Sequence, residues 1–365
     1  MVFISLILMN LPMFTYAEVC EVKEISTDVL GENAVKLLEK GYSEYYKFCS
    51  YDTALAERNI DGNIVEEIFY LEISAILLAD SVDDLDFYNG IQEYWNVGVS
   101  ANAATMGRSF EQAAKYTAII TTTKNALQDS FEEYIGKEQP LKFFVKATYE
   151  MGNYNTASFL FENGEEYVGA EGMYPPTREE LKARGYAMME YYSDVALSEA
   201  SKMAGTKAAD FSYNNTAAVA YAVKYTSNPS SCSFHQKNCG KYVDTTKYNS
   251  AYANYASTHT DCANYISQCL HAGGIPTDAT WYAGSLAWIN VSELCNYMLN
   301  NRYWREISYL MPPVGAYMRY TNQSHIVMLS SHDGVTYKYS GHTNDRLNFV
   351  ISLSSSNKYY FINFN

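Results

Sequence analysis

Cys262 stands near the start of a predicted helix in the run Thr260-Asp261-Cys262-Ala263-Asn264-Tyr265-Ile266-Ser267-Gln268-Cys269-Leu270, which continues into His271-Ala272-Gly273-Gly274. A thiol in the first turn of a helix feels unpaired backbone N–H groups and the positive helix end, and both favour the thiolate. Downstream, His325 opens an apolar strand and His342 follows a hairpin turn later. Cys, His and a third polar residue form the set used in thiol-dependent acyl transfer, with the imidazole activating the sulfur and carrying the proton. The expected roles are Cys262 as nucleophile, His325 as base and His342 as the group orienting it, with Asn344 and Asp345 as alternatives for the third place. The oxyanion would be met by the Cys262 backbone N–H and a side-chain donor, for which His259 and Tyr255 are candidates. Trp281 and Tyr282 lie after a Gly-Gly-Ile-Pro turn and are expected to wall a substrate cleft, whereas Trp288, within an apolar run, is expected in the core. Acyl transfer of this kind needs no metal and no cofactor.

The cysteines, at 20, 49, 232, 239, 262, 269 and 295, are odd in number. The apolar opening Val2 to Phe14 is too short to span a bilayer and runs into Thr15-Tyr16-Ala17, which reads as a secretion signal over residues 1–17. In an oxidising compartment the thiols tend to pair. The simplest pairing is Cys20 with Cys49, Cys232 with Cys239, and Cys269 with Cys295, which leaves Cys262 free. Spacing alone does not fix connectivity. A zinc site using Cys232, His235 and Cys239 is the rival use of two of these residues, although the compact Cys-x2-Cys spacing is missing.

The formal charge of −15 is carried by the first 210 residues, because residues 211–365 hold ten Lys or Arg against seven Asp or Glu. An acidic surface argues against nucleic acid as a partner. All six histidines follow residue 210, so acid–base chemistry near neutral pH is expected in the second part of the chain.

The elements that must position these groups are read as follows. Residues 33–51 and 109–134 have helical period, 66–78 suits either a strand or a helix, and 141–149 with 156–161 read as a hairpin. Thr177 with Glu180 forms a capping box that opens a helix reaching toward Met203. Residues 204–210 read as a boundary, with a helix-rich α+β accessory domain over 18–205 and a second domain over 211–365. In the latter, 215–225 is a helix, Tyr265, Ile266, Cys269 and Leu270 form a buried stripe, and Gln323 to Ser330 is a strand. His332-Asp333-Gly334 would be the hairpin turn, with His332 in solvent. The return strand would then bring His342 beside His325. His271 is expected to cap its helix before Gly273.

Three segments resemble a known family. Tyr213 to Ala222 resembles its opening helix, Asp261 to Gly274 its nucleophile motif, and Ser324 to Met328 with Gly341 to Asp345 its histidine strand and closing motif. The family is that of the "putative amidase domain" of secreted and sporulation-associated Gram-positive proteins. The resemblance covers about residues 213–347 and departs from the family at Asn215, Ala263 and Ala316. It implies a papain-like fold related to the NlpC/P60 and CHAP cell-wall hydrolases, with a nucleophile helix packed on an antiparallel sheet. It also implies an exported or cell-surface thiol amidase or peptidase acting on peptide or peptidoglycan-like substrates. The roles it implies for Cys262, His325 and His342 are those given above. Upstream regions of related proteins are somewhat like a cystatin or NTF2-like fold. A transferase using the same triad, and a surface-binding protein whose amidase domain has lost its chemistry, are the alternatives.

Overall fold

The computed structural model describes residues 16–105, 110–201, 211–234, 241–322 and 324–362, with side chains from Thr27 onward except those of Thr105, Glu199, Ser201 and Ile362. The expected signal over 1–17 and the expected boundary over 204–210 fall almost entirely outside these. The chain has a mixed α+β organisation with two antiparallel sheets.

The first unit opens with helix α1 (Tyr16–Tyr42), followed by strands β1 (Tyr46–Asp61) and β2 (Ile64–Leu77). Helices α2 (Asp86–Tyr94), α3 (Ser100–Thr105) and α4 (Phe110–Glu132) come next, then β3 (Glu138–Glu150), β4 (Asn153–Asn163), β5 (Glu166–Val168) and α5 (Arg178–Ser201). The five strands pair in sequence order. The helix expected over 33–51 ends at Tyr42. Tyr42, Tyr45 and Tyr46 keep helical spacing, but Tyr45 N–H closes a short turn on the Tyr42 carbonyl and Tyr46 already pairs with Leu77 in the sheet. Residues 66–78 resolve as strand, since Val65, Phe69, Leu71, Ile73, Ala75 and Leu77 alternate into one core with the period of two that a strand imposes. The capping box forms: Thr177 N–H donates to Glu180 Oε2 (2.9 Å) and Glu180 N–H to Thr177 Oγ1 (3.3 Å). Helices α2 and α5 cross closely because each offers a glycine: a Cβ at Gly90 would strike the Lys182 carbonyl, and one at Gly185 the Phe87 carbonyl.

The second unit holds α6 (Asn215–Lys224), α7 (Cys262–Ala272), α8 (Leu286–Ile289) and α9 (Val291–Asn301). Its strands are β6 (Trp304–Ile307), β7 (Tyr317–Tyr320), β8 (His325–His332), β9 (Tyr337–Gly341), β10 (Arg346–Ile351) and β11 (Lys358–Ile362). They line up as β10-β9-β8-β7-β11-β6. Ile326, Met328 and Tyr317 face the helices and share a core with Cys262, Tyr265, Leu294 and Trp288. Val327, Leu329, Met318 and Tyr320 face the other way, into a core that includes Phe144 of β3. The outer face of the first sheet therefore packs on the back of the second.

Charge is buried in that joint. Arg346, fully buried, donates from Nε and Nη2 to the two carboxylate oxygens of Glu162, each at 2.6 Å. Its guanidinium lies 4.1 Å from the centre of the Phe144 ring. Tyr46 donates to Asp333 (2.8 Å) and Lys338 to Gln139 (2.9 Å) across the same joint. His332 is not in solvent, as its place near a turn suggests. It is 5 % exposed, stacked on Tyr337 and edge-on to Phe87 and Phe131, because the first unit covers the β8–β9 turn.

Candidate functional site

Helix α7 is buried on every face from Cys262 to Leu270. An amphipathic stripe alone does not produce this; its polar residues are each satisfied inside. Asn264 donates to the Ala253 carbonyl and to Asp261 (both 2.9 Å) and accepts from Trp288 Nε1 (2.9 Å). Ser267 donates to the Trp288 carbonyl (2.8 Å), and Gln268 accepts from Tyr221 (2.7 Å). Trp281 belongs to this core, fully buried and donating to Ser267 (3.3 Å), so it does not wall a cleft. Tyr282 beside it is 52 % exposed. Trp288 is in the core as expected.

Cys262 occupies the first position of α7 and carries no disulfide. Its thiol donates toward the Ser324 carbonyl (3.8 Å) and lies by the backbone N–H of Ile326. The sulfur thus abuts the β8 backbone on either side of His325. Burial pushes the thiol up to about 11, against lowering by the Ile326 amide, Thr343 and the Ala263 amide. This corrects the expected thiolate: at a site only 3 % exposed, desolvation of the anion outweighs the helix end. The Cys262 N–H expected to meet an oxyanion donates to Thr343 Oγ1 (3.1 Å). Thr343 is held at φ 83°, a conformation that is an outlier for a β-branched residue.

The histidines separate. His325 heads β8, but its ring takes the face away from α7, stacked on Tyr320 with Nε2 3.2 Å from Glu165 Oε1. Lys241 also pairs with Glu165 (2.9 Å). Burial holds His325 below its ordinary value, with Glu165 opposing; Glu165 itself is lowered, His325 and Lys241 overcoming its burial. No hydrogen bond joins Cys262 Sγ to an imidazole among the described residues. His342 lies on the α7 face, sandwiched between Tyr248 and Tyr265. Its Nδ1 meets Asp261 Oδ2 (2.8 Å) and its Nε2 the Tyr225 carbonyl (2.7 Å). Both ring nitrogens are therefore engaged, and His342 does not touch His325.

The alternatives for the third place also lie apart from His325. Asn344 accepts from the Tyr242 amide (3.1 Å). Asp345 accepts from Tyr248 (2.7 Å) and the Asp244 amide (2.8 Å), and burial raises its carboxyl to about 6. His259, in a left-handed conformation, and Tyr255 lie on the turn before α7, where the Tyr255 amide donates to Asp261 Oδ1 (2.8 Å). His271 Nδ1 meets the Ile275 carbonyl at 3.0 Å, just past its helix.

The expected Cys269–Cys295 disulfide is absent. Burial raises both thiols, and Cys295 lies near Arg319 and Cys262 instead. Cys49 is exposed and unbridged, while the side chain of its expected partner Cys20 lies outside the described residues. The same holds for Cys239, the expected partner of Cys232, and for His235 of the rival zinc set.

Asp261, Thr343 and Glu165 were not singled out by the sequence. Asp261 carries a usable signal, standing beside the nucleophile at the head of α7. Glu165 carries none, since it reaches His325 from the turn between β4 and β5 of the other unit.

A family model described as "Putative amidase domain" matches residues 212–364, the whole of the second unit from α6 to β11. No curated protein and no solved structure matches the chain.

Proposed function

We propose that the second unit is an amide hydrolase with Cys262 as nucleophile, and that the structure is its closed resting form. The observation that carries this reading is an unbridged thiol in the first turn of a buried helix, set against the backbone that bears His325. The family match over the same residues supports amide hydrolysis. A helix bearing the nucleophile against an antiparallel sheet also suits the papain-like arrangement.

In this reading His325 leaves Glu165 and reaches Cys262 as the site opens. It takes the thiol proton, and the thiolate forms a bond to the amide carbonyl carbon. As the tetrahedral adduct collapses, the C–N bond breaks and the imidazolium gives its proton to the departing amine. Water, deprotonated by the same ring, then cleaves the thioester and restores the thiol. Thr343 must yield the Cys262 N–H for the oxyanion to use it. The proposed substrates are short amides such as peptidoglycan stem peptides, met outside the cell after export. An amine in place of water would make the same thioester a transferase intermediate.

A second reading, a binding protein without turnover, is favoured by the His325–Glu165 pair and by a thiol near 11. Incubation of the full chain with muropeptides separates the two. Release of new amine and carboxyl groups, lost in Cys262→Ala, is the expected outcome; equal release by that variant overturns the mechanism, and no release by the parent favours the second reading.

A further inference from the structure

The base proposed for catalysis is covered by the other unit. His325 is 6 % exposed, and the tip of the β4–β5 hairpin reaches it and its neighbours. Asn163 and Glu166 pair across that tip, so Gly164 and Glu165 form a two-residue turn, with Gly164 at φ 71°, a conformation such turns favour. Each residue of the tip has its own hold on the second unit. The Asn163 side chain donates to the Ser352 carbonyl (3.2 Å) and accepts from the Ser352 N–H (2.9 Å), just past β10. Gly164 is seated against Tyr320, whose hydroxyl a Cβ there would meet at 1.8 Å, and the Tyr320 ring stacks on His325. Glu165 then brings its carboxylate to His325 Nε2 (3.2 Å) and to Lys241 Nζ (2.9 Å). Just before the tip, Glu162 is anchored by Arg346.

A base in this chemistry has to meet the thiol and later the departing amine. His325 is turned from both, since its Nε2 is taken by Glu165 and its ring lies with Tyr320 on the face away from α7. The Cys262 sulfur nevertheless abuts the β8 backbone at Ser324 and Ile326, on either side of His325. Ring and sulfur are therefore parted by the direction of one side chain, and the carboxylate that fixes this direction belongs to the first unit.

We infer that the β4–β5 turn is an autoinhibitory latch: Glu165, seated by Asn163 and Gly164, holds His325 away from Cys262, and withdrawal of the turn switches the second unit on. The inference rests on the proposed roles of Cys262 and His325. It makes the first unit a built-in inhibitor of the second, so that removing a contact raises activity by releasing the competent arrangement.

The full chain carrying Glu165→Ala tests this through alkylation of Cys262 by iodoacetamide, followed on its own peptide. At pH 7 the variant should react at least about fivefold faster than the parent, with a plateau near neutral pH that the parent lacks. Adding His325→Ala should abolish both gains. Gly164→Ala, which unseats the turn and keeps the carboxylate, should act in the same direction and decides the matter should Glu165→Ala fail to fold. Alkylation as slow as the parent's in these variants overturns the inference. So does a faster reaction that survives loss of His325, which would be a loosened joint and no latch. Turnover separates the latch from the reading beneath it. Cys262-dependent release of amine from muropeptides by the parent, unchanged or lowered in Glu165→Ala, overturns the latch and keeps the hydrolase, with Glu165 orienting the base. A His325-dependent gain in alkylation without turnover supports the latch and overturns muropeptide hydrolysis.

Discussion

At Cys262 two effects act on one sulfur in opposite directions. The positive end of α7 favours the anion by roughly 0.3–1 kcal/mol, whereas burial carries the thiol from 9.0 to about 11, a difference of about 3 kcal/mol. Burial wins while the site is closed. Alkylation of Cys262 by iodoacetamide, followed on its own peptide by mass spectrometry so that exposed Cys49 does not interfere, should rise about tenfold per pH unit from pH 8 to 10. A plateau near pH 7 would instead show an imidazole already paired with the sulfur. The sequence placed Cys262 at the head of its helix, because apolar period and motif both fall there. It did not show which side His325 takes. Ile326 and Met328 are apolar, and so are Val327 and Leu329, so β8 is buried on both faces and alternation carries no sign of which face meets α7.

Among the elements, the hairpin of β3 and β4 was legible as strands, but its partner was not. Its Phe144 and Glu162 read as an ordinary aromatic and an ordinary acid. Only the second sheet, with Arg346 and Phe349 stacked against them, turns them into a joint. A buried ion pair adds little over a well-packed apolar pair, yet removing one member strands the other charge. Glu162→Ala should therefore destabilise the protein by about 3–5 kcal/mol, measured by urea denaturation. Arg346→Met combined with Glu162→Leu should cost less than Glu162→Ala alone. A loss below about 1 kcal/mol in Glu162→Ala would mean that water reaches Arg346 and the joint is looser than its packing suggests.

Across the whole molecule, the two units are held by groups far apart in sequence, such as Tyr46 with Asp333 and Glu165 with His325. No local pattern announces such pairs, which is why His332 reads from sequence as a solvent residue. His332 gives the joint a pH dependence. Burial between Phe87, Phe131 and Tyr337 lowers it to about 3, with Asp333 opposing and Arg184 adding to the fall. A histidine depressed on folding contributes stability that is complete above its unfolded value of about 6.5. That contribution fades as pH falls from there toward 3, by up to about 1.4 kcal/mol per unit. Asp345, raised on folding to about 6, acts with the opposite sign as pH falls through 6 toward 4, so the parent protein alone would show a blunted slope. Comparison with His332→Phe, which keeps an aromatic ring in the same stack, removes the shared Asp345 contribution. Urea denaturation at fixed chloride should show the variant gaining on the parent steadily below pH 6.5. A difference that stays constant down to pH 4 would mean that His332 titrates as an open, solvated ring and that the units part there before either unfolds.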